Sequence, residues 1–284
     1  MENEISSLEQ YVCDLMKNGK FSEKDFLEIC SFHKLKKNLF DMMCSSAVDI
    51  FTEDESGRTA LFNAAMSGNL VILRALLARG LDPMHADKYG EVPLSAALRC
   101  GNRSVAECLI KVTGNPAGII DDEGSSLLHK AAWGNLPELA EILLDECGMD
   151  IDTGDQCGRT ALHVAAYQGN TRVMKYLLER SANVNAVDRY GQTPVFSGAY
   201  DGNRKVVKML CEYGADLTIK NVDNLTVLKY SVITKQFETA LFLNGKSGIV
   251  YPNLDAAIKK HKQECAAVIK KITEKLKKIQ SANG

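Results

Sequence analysis

Residues 245–247 are Gly-Lys-Ser, the last three residues of a phosphate-binding loop. That loop needs a second glycine five residues before the first of the three, and Ala240 stands there instead. The chain also lacks the Gly-x-Ser-x-Gly, His-Glu-x-x-His and dinucleotide-binding patterns. We therefore expect no catalytic site and no nucleotide cofactor, and predict that the protein is not an enzyme.

The nine cysteines and five histidines are the other residues that could do chemistry. Cys147, Cys157 and His163 are zinc ligands by type, but their pairs do not have the spacing of zinc ligands, and no Cys-x-x-Cys occurs. Small buried thiols in a reducing compartment are the alternative interpretation. We therefore predict no metal site and a cytoplasmic, or else nuclear, location.

Length and charge exclude several classes of protein. With 284 residues, 45% of them hydrophobic, the chain can bury a sizeable core, and its net charge of −2 gives no basic excess for nucleic acid. It starts with acidic and polar residues, and no apolar run approaches the ~20 residues that span a membrane. We expect neither secretion nor a membrane span.

A short motif recurs along most of the chain at intervals of 33 or 34 residues. Six copies start at Gly57, Gly90, Gly124, Gly158, Gly191 and Asn224. Such a period predicts a solenoid, in which each unit buries its apolar face only by stacking on its neighbours. A fold of that kind has no deep central pocket, so any active site would be an addition to it.

Each copy has the signals of a helix–turn–helix unit. A Thr or Ser stands at the N-cap position of most copies, and Pro93 and Pro194 follow at the first helical position, where a missing N–H costs nothing. Small residues follow on the first helix, and Gly68 or its equivalent ends it. A second, amphipathic helix completes the unit.

The repeated unit resembles the ankyrin repeat, whose consensus contains G-x-TPLH-x-AA-x-x-G followed by V-x-x-LL-x-x-GA. Residues 158–186 contain TALHVAAYQG and ANVNA, and residues 191–216 contain TPVFSGAYDG and GAD. The resemblance covers roughly residues 23–245. It implies an all-α solenoid of helix–turn–helix units with short β-turn fingers and helical caps at both ends.

Departures from the consensus are local. Gly134 comes one position early, and the family histidine survives only as His129 and His163. The resemblance implies that these imidazoles bridge neighbouring repeats by hydrogen bonds and are not catalytic. Asn185 looks like the asparagine that oxygen-sensing hydroxylases modify in some ankyrin proteins, which gives a hypothesis of modification.

The resemblance divides the chain into three parts. Residues 1–56 are expected to form a helix over about 5–17 and a degenerate capping repeat, and residues 57–245 six ankyrin repeats. Residues 246–284 are expected to form a basic helical cap or extension. Between Lys259 and Lys278 eight lysines face two glutamates, a net charge of +6, which leaves −8 on the rest of the chain.

The basic C-terminal part leaves three interpretations open. It could cap the last repeat, associate weakly with a second copy or bind a partner, or bind anionic lipid, nucleic acid or calmodulin. The capping interpretation needs only that solvated lysines lie on the outside.

The residues between each alanine pair and the following glycine are expected to face the concave groove of the solenoid. In the first of these slots the chain has Met66, Arg99, Trp133, Tyr167 and Tyr200, and Asp201 is in the second slot of the fifth repeat. Solubility alone would favour Lys and Glu there, whereas these types are enriched at interface hot spots. The alternative is that the aromatic rings fill gaps between repeats.

The two residues before each turn glycine are expected at the finger tips. Those that suggest binding are aromatic or charged: Tyr89, Asp122, Glu123, Arg189 and Tyr190. Together with the groove row they predict a surface that binds a protein or peptide. The resemblance to ankyrin repeat proteins implies that the protein acts as an adaptor, an inhibitor or an assembly chaperone. The alternative function is a regulatory or targeting subunit of an enzyme complex that acts through the basic C-terminal helix.

Overall fold

The computed structural model describes residues 2–32, 36–46 and 48–246, together with residues 254, 258 and 259, with side chains from residue 10 onward. Over these residues the fold is all-helical, and the prediction of an all-α ankyrin-repeat solenoid is confirmed. Isolated antiparallel bridges close some of the loops between repeats: Glu53 with Thr59, Ile120 with Ser126 and Lys220 with Thr226.

Fifteen helices follow one another in the described residues. They are α1 Glu2–Lys17, α2 Glu23–Cys30, α3 Lys37–Cys44, α4 Ala60–Ser67, α5 Leu70–Leu77, α6 Pro93–Arg99, α7 Arg103–Thr113, α8 Leu127–Trp133, α9 Pro137–Asp145, α10 Ala161–Gln168, α11 Thr171–Glu179, α12 Pro194–Tyr200, α13 Arg204–Glu212, α14 Val227–Ile233 and α15 Phe237–Asn244. The predicted N-terminal helix is present as α1 and starts three residues earlier than expected.

The helices form two layers. In one layer, the first helices of successive repeats contact one another in order, from α2 through α4, α6, α8, α10 and α12 to α14. In the other, the second helices do the same from α3 to α15 through the odd-numbered members. We call the side formed by the first helices and the fingers the groove face.

Small residues let the first helices approach closely. Both alanines of each pair in the first four of the six repeats, such as Ala64 with Ala65 and Ala131 with Ala132, are fully buried. In the fifth repeat Gly198 replaces the first alanine, because a Cβ there would lie 2.4 Å from Cγ1 of Val206. The core is thus one continuous row of apolar contacts along the stack.

The predicted start signals of the first helices are present. Thr59 and Thr160 are N-caps, and the hydroxyl of Thr59 accepts a hydrogen bond from the backbone N–H of Phe62. Pro93 and Pro194 take the first helical position as predicted. Local sequence and final structure therefore agree at the start of these helices.

His129 and His163 bridge neighbouring repeats, as the resemblance implied. Nδ1 of His129 accepts the backbone N–H of Ser126 at 3.2 Å, which leaves the proton on Nε2, and Nε2 donates to the carbonyl of Arg159 at 2.7 Å. His163 makes the same pair of bonds with Thr160 and Gln192, at 3.1 and 3.0 Å. Burial lowers the pKa of both imidazoles, so each stays neutral at pH 7.

The C-terminal part is described at only a few positions. Leu254 and Ile258 are buried in the common core, and Leu254 lies beside Leu225, Val232 and Ile233 of the sixth repeat. Leu254 therefore lies against the last repeat, which fits a cap at this position. The lysine-rich stretch after Lys259 lies outside the described residues.

Candidate partner-binding face

The fingers are closed from inside by one acidic or amide side chain each. Oδ1 of Asp87 accepts the backbone N–H groups of Tyr89 and Glu91 at 2.9 and 3.0 Å. The same double contact occurs at Asp54, Asp121, Asp155, Asp188 and Asn221. The sequence holds a signal for this closure that the prediction did not use, an Asp or Asn three residues before the first residue of each copy.

Backbone hydrogen bonds join each finger to the next. The N–H of Lys88 donates to the carbonyl of Ser56 at 2.9 Å, and that of Asp122 donates to Tyr89 at 3.0 Å. The three later pairs of fingers repeat this bond at 2.7 to 3.0 Å. The predicted tip residues therefore lie in one row with a fixed spacing.

The predicted aromatic row is present on the first helices. Trp133, Tyr167 and Tyr200 lie at or near the ends of α8, α10 and α12, and their exposed fractions are 46%, 48% and 50%. The rings of Tyr167 and Tyr200 contact each other with centroids 5.9 Å apart. About half of each side chain is therefore open to solvent, as the groove interpretation requires, while the covered half contacts the protein.

At three residues of this row, a side-chain amide from the following repeat binds the main-chain carbonyl. The side-chain amide of Asn102 donates to the carbonyl of Met66 at 2.8 Å, and that of Asn170 donates to Trp133 at 2.7 Å. Gln236 does the same for Tyr200 at 2.9 Å. The ends of these first helices are thereby fixed relative to the neighbouring repeat.

The row is one residue longer than sequence reasoning proposed. Ile233 ends α14 and is 62% exposed in the equivalent slot of the sixth repeat. The signal was the alignment of the copy that starts at Asn224. At the other end Met66 is half-buried, and Asp201 is exposed directly after Tyr200.

A cavity of about 350 Å³ lies between the second finger and the end of α8. Five predicted site residues line it: Tyr89, Arg99, Asp122, Glu123 and Trp133. The structure thus brings finger-tip and helix residues of the second and third repeats into one site. Tyr89 is 63% exposed, and it lines the same opening as Trp133.

The floor of this cavity is a network of ion pairs that sequence reasoning missed. Arg99 donates two hydrogen bonds to the carboxylate of Glu91, both at 2.9 Å. Nζ of Lys130 lies 3.3 Å from Oε1 of Glu91 and 2.5 Å from Oδ2 of Asp121. Arg99 was predicted as a groove residue that binds a partner; it lines this cavity, and its guanidinium is paired with Glu91.

The ion pairs of this network determine the charge state of Glu91. Burial alone would raise the pKa of Glu91, but the hydrogen bonds from Arg99 and the charge of Lys130 outweigh burial, and the pKa is lowered. The hydrogen bond to Glu91 in turn raises the pKa of Arg99. Glu91 and Arg99 are therefore both ionised at pH 7, and the floor as a whole holds two acidic and two basic side chains.

The other predicted residues lie further along the face. Arg189 is exposed at the fifth finger and donates to the carbonyl of Gln156 at 2.6 Å, and Tyr190 beside it is 50% exposed. Asn185, the candidate for hydroxylation, accepts the backbone N–H of Asp216 at 2.8 Å through its side-chain oxygen. Its modification stays a prediction.

Within the described ranges, no group of three or more His, Cys, Asp or Glu side chains could hold a metal ion. His163, one of the three residues considered for zinc, uses both ring nitrogens in hydrogen bonds. Among the helices that the structure describes, none has the length and apolar character to cross a membrane.

Comparison with known proteins gives the class of protein. A sequence model described as "Ankyrin repeats (3 copies)" matches residues 27–121 and 128–221, which is well over half of the chain. The chain therefore belongs to the ankyrin repeat family. The human ASB11 ankyrin repeat domain has a similar structure, with a TM-score of 0.62, 25% identity, and coverage of 72% of this chain and 90% of that domain.

The sequence relatives are longer proteins. L-asparaginase of Dirofilaria immitis is 32% identical over 139 residues, which are 49% of this chain and 23% of that protein. Ankyrin repeat and SAM domain-containing protein 6 of Danio rerio is 28% identical over 131 residues, 46% of this chain and 18% of that protein. The chain thus spans less than a quarter of either relative. Ankyrin repeats are in general a non-catalytic protein–protein interaction fold.

Proposed function

We propose that this protein is a non-catalytic interaction module that holds a protein or peptide along the groove face. Its action would be that of an adaptor, an inhibitor or an assembly chaperone. We also propose a cytoplasmic or nuclear location, and the division into residues 1–56, 57–245 and 246–284 given by the repeats.

One observation supports the groove face above other surfaces. Trp133, Tyr167 and Tyr200 lie in a row of rings from successive repeats, each about half exposed, and the neighbouring repeat fixes the backbones of Trp133 and Tyr200. Exposed aromatic side chains on a rigid support lose little conformational entropy when a partner covers them. Such residues supply most of the binding free energy at many interfaces.

The test is a comparison of variants on partners captured from the source cell. The variant W133A/Y167A/Y200A is expected to lose partners that the wild type retains, because each ring contributes about 1–3 kcal/mol when buried at an interface. The matched control removes exposed side chains from the second helices, as in K175A/K208A/Y213A, and is expected to retain them.

Thermal unfolding separates loss of binding from loss of fold. Both variants are expected to stay close to the wild type in Tm, since surface substitutions usually change stability by about 0.5 kcal/mol or less. If the aromatic variant unfolds far below the control, the rings belong to the core. If it still retains every partner of the wild type, binding occurs elsewhere, for example through the basic C-terminal segment.

A further inference from the structure

We propose that the cavity between Tyr89 and Trp133 receives an arginine or lysine side chain from a basic segment of the partner protein. This inference rests on the proposed function and names the chemistry of the partner. It follows from the charge, the ring chemistry and the position of this cavity.

The unsatisfied charge at the cavity is negative. Inside it, Arg99 and Lys130 are already paired with Glu91 and Asp121, and Arg159 is paired with Asp155 at 2.7 Å. At the rim, Asp122 and Glu123 are exposed, and neither forms an ion pair with another described residue. An incoming cation therefore meets two carboxylates that have no ion-pair partner among the described residues, and the basic side chains that line the cavity are already paired.

The walls suit a cation that carries an apolar stem. Tyr89, which is largely exposed, and Trp133, which is half exposed, line the same opening. The face of an aromatic ring attracts a guanidinium or ammonium group, and the methylene stem of that side chain covers apolar surface at the same time. The volume of about 350 Å³ is at the lower end of ligand pockets, and fits one side chain with a few waters.

The same face is acidic again at its N-terminal end. A second opening of about 630 Å³ lies between α2 and the first finger. Its charged lining is Glu23, Lys24, Glu28, Glu53, Asp54 and Glu55, five carboxylates and one cation. Both acidic openings lie on one face within three repeats, so an extended partner segment that follows the fingers meets both. This pattern favours several basic side chains in one segment.

The experiment selects random dodecapeptides displayed on phage against the full-length wild type. Enriched sequences are expected to contain an excess of Arg and Lys over the unselected library. Fluorescein-labelled copies are then measured by anisotropy against D122N/E123Q, which neutralises the rim while keeping its shape. Their affinity is expected to fall about tenfold, as for the loss of one well-placed charge contact.

The matched control is E179Q/E212Q, which removes two exposed carboxylates from the second helices with the same change in net charge. Its affinity for the peptides is expected to equal that of the wild type. An equal loss in both variants would show an unspecific charge effect and overturn the proposal. Enriched peptides without an excess of Arg and Lys would also overturn it.

The aromatic variant separates this inference from the proposed function. If enriched peptides are not basic but lose affinity in W133A/Y167A/Y200A, the groove face binds and only the basic chemistry is wrong. If no peptide binding depends on the aromatic residues or on the rim carboxylates, both proposals fail.

The chain's own basic segment is the other occupant to test. A variant with the eight lysines between residues 259 and 278 changed to glutamine is expected to bind the peptides as the wild type does. If it binds them about tenfold more tightly, the chain's own segment competes for the cavity, and the assignment to a partner is overturned.

Discussion

The side-chain amide of Asn170 donates a hydrogen bond to the backbone carbonyl of Trp133 at 2.7 Å. The same amide donates to the carbonyl of Ala132 at 2.9 Å. Asn170 starts the second helix of the fourth repeat, whereas Trp133 ends the first helix of the third. Asn170 of the fourth repeat thus provides hydrogen bonds to the C-terminal end of α8 in the third repeat, and that end carries the ring of Trp133.

We expect the substitution N170A to lower the free energy of unfolding by about 1–3 kcal/mol, because it removes the side-chain donor from the carbonyl of Trp133 and one of the donors from the carbonyl of Ala132. Urea unfolding measures the loss. The control is Q168A, on the same turn of the chain but without such contacts, for which we expect a change of about 0.5 kcal/mol or less. Equal stability of N170A and the wild type would show that water replaces the amide without cost.

We expect the substitution G134A to be severely destabilising. The backbone of Gly134 has an ordinary φ of −77°, but a Cβ there would lie 1.9 Å from the carbonyl oxygen of Leu98. The first two of the six repeats would have to move apart from the third, at a cost of about 1–3 kcal/mol or more. In the control G118A nothing lies within 4 Å of the new Cβ. Thermal unfolding of both variants checks this, and a G134A protein as stable as G118A would contradict the close approach.

Quenching of fluorescence should report the charge around Trp133, which is the single tryptophan of the chain. Its ring is 46% exposed and shares a cavity with Asp122 and Glu123, so caesium ions should quench it better than iodide, relative to free N-acetyltryptophanamide. The preference should shrink at high salt and in D122N/E123Q. A blue-shifted emission that neither ion quenches would show a buried ring.

Acidification should weaken the fold through His129 and His163. Burial lowers the pKa of both below the ordinary value of 6.5, so the unfolded chain binds more protons than the folded one once the pH falls below 6.5. The stabilisation is therefore complete above that pH and is lost as the pH falls through the folded pKa.

The measurement is urea unfolding at about pH 7 and 5, with H129Q/H163Q as the comparison. The variant is expected to be less stable at pH 7, since it loses the bridging hydrogen bonds, but to lose less stability on acidification. The histidines at positions 33, 85 and 261 are common to both proteins and do not affect the difference. An identical loss in both proteins would contradict the assignment.

The sequence predicted the parts of the fold that depend on local signals. Thr160 as an N-cap, Pro194 at a helix start and the slot of Tyr167 all follow from residue type and repeat period, and the structure has them in place. The exposure of the aromatic row was predictable for the same reason, because the slot has one orientation in every repeat.

What the sequence did not predict depends on side chains from different repeats. Glu91, which contacts Arg99 and Lys130, is separated from them by 8 and 39 residues, and no spacing rule connects these three. The need for glycine at position 134 depends on a carbonyl of the preceding repeat. Such contacts are set by how two units meet, and a single repeat does not specify that.

Because one inward side chain closes each finger, the finger tips can accept substitutions during evolution. Asp121 secures its loop through two main-chain N–H groups, and neither bond involves the side chains of Asp122 and Glu123. Substitutions at the two tip positions therefore leave the scaffold intact. Mutations at those sites can therefore change which partner is bound without requiring a second mutation that restores stability.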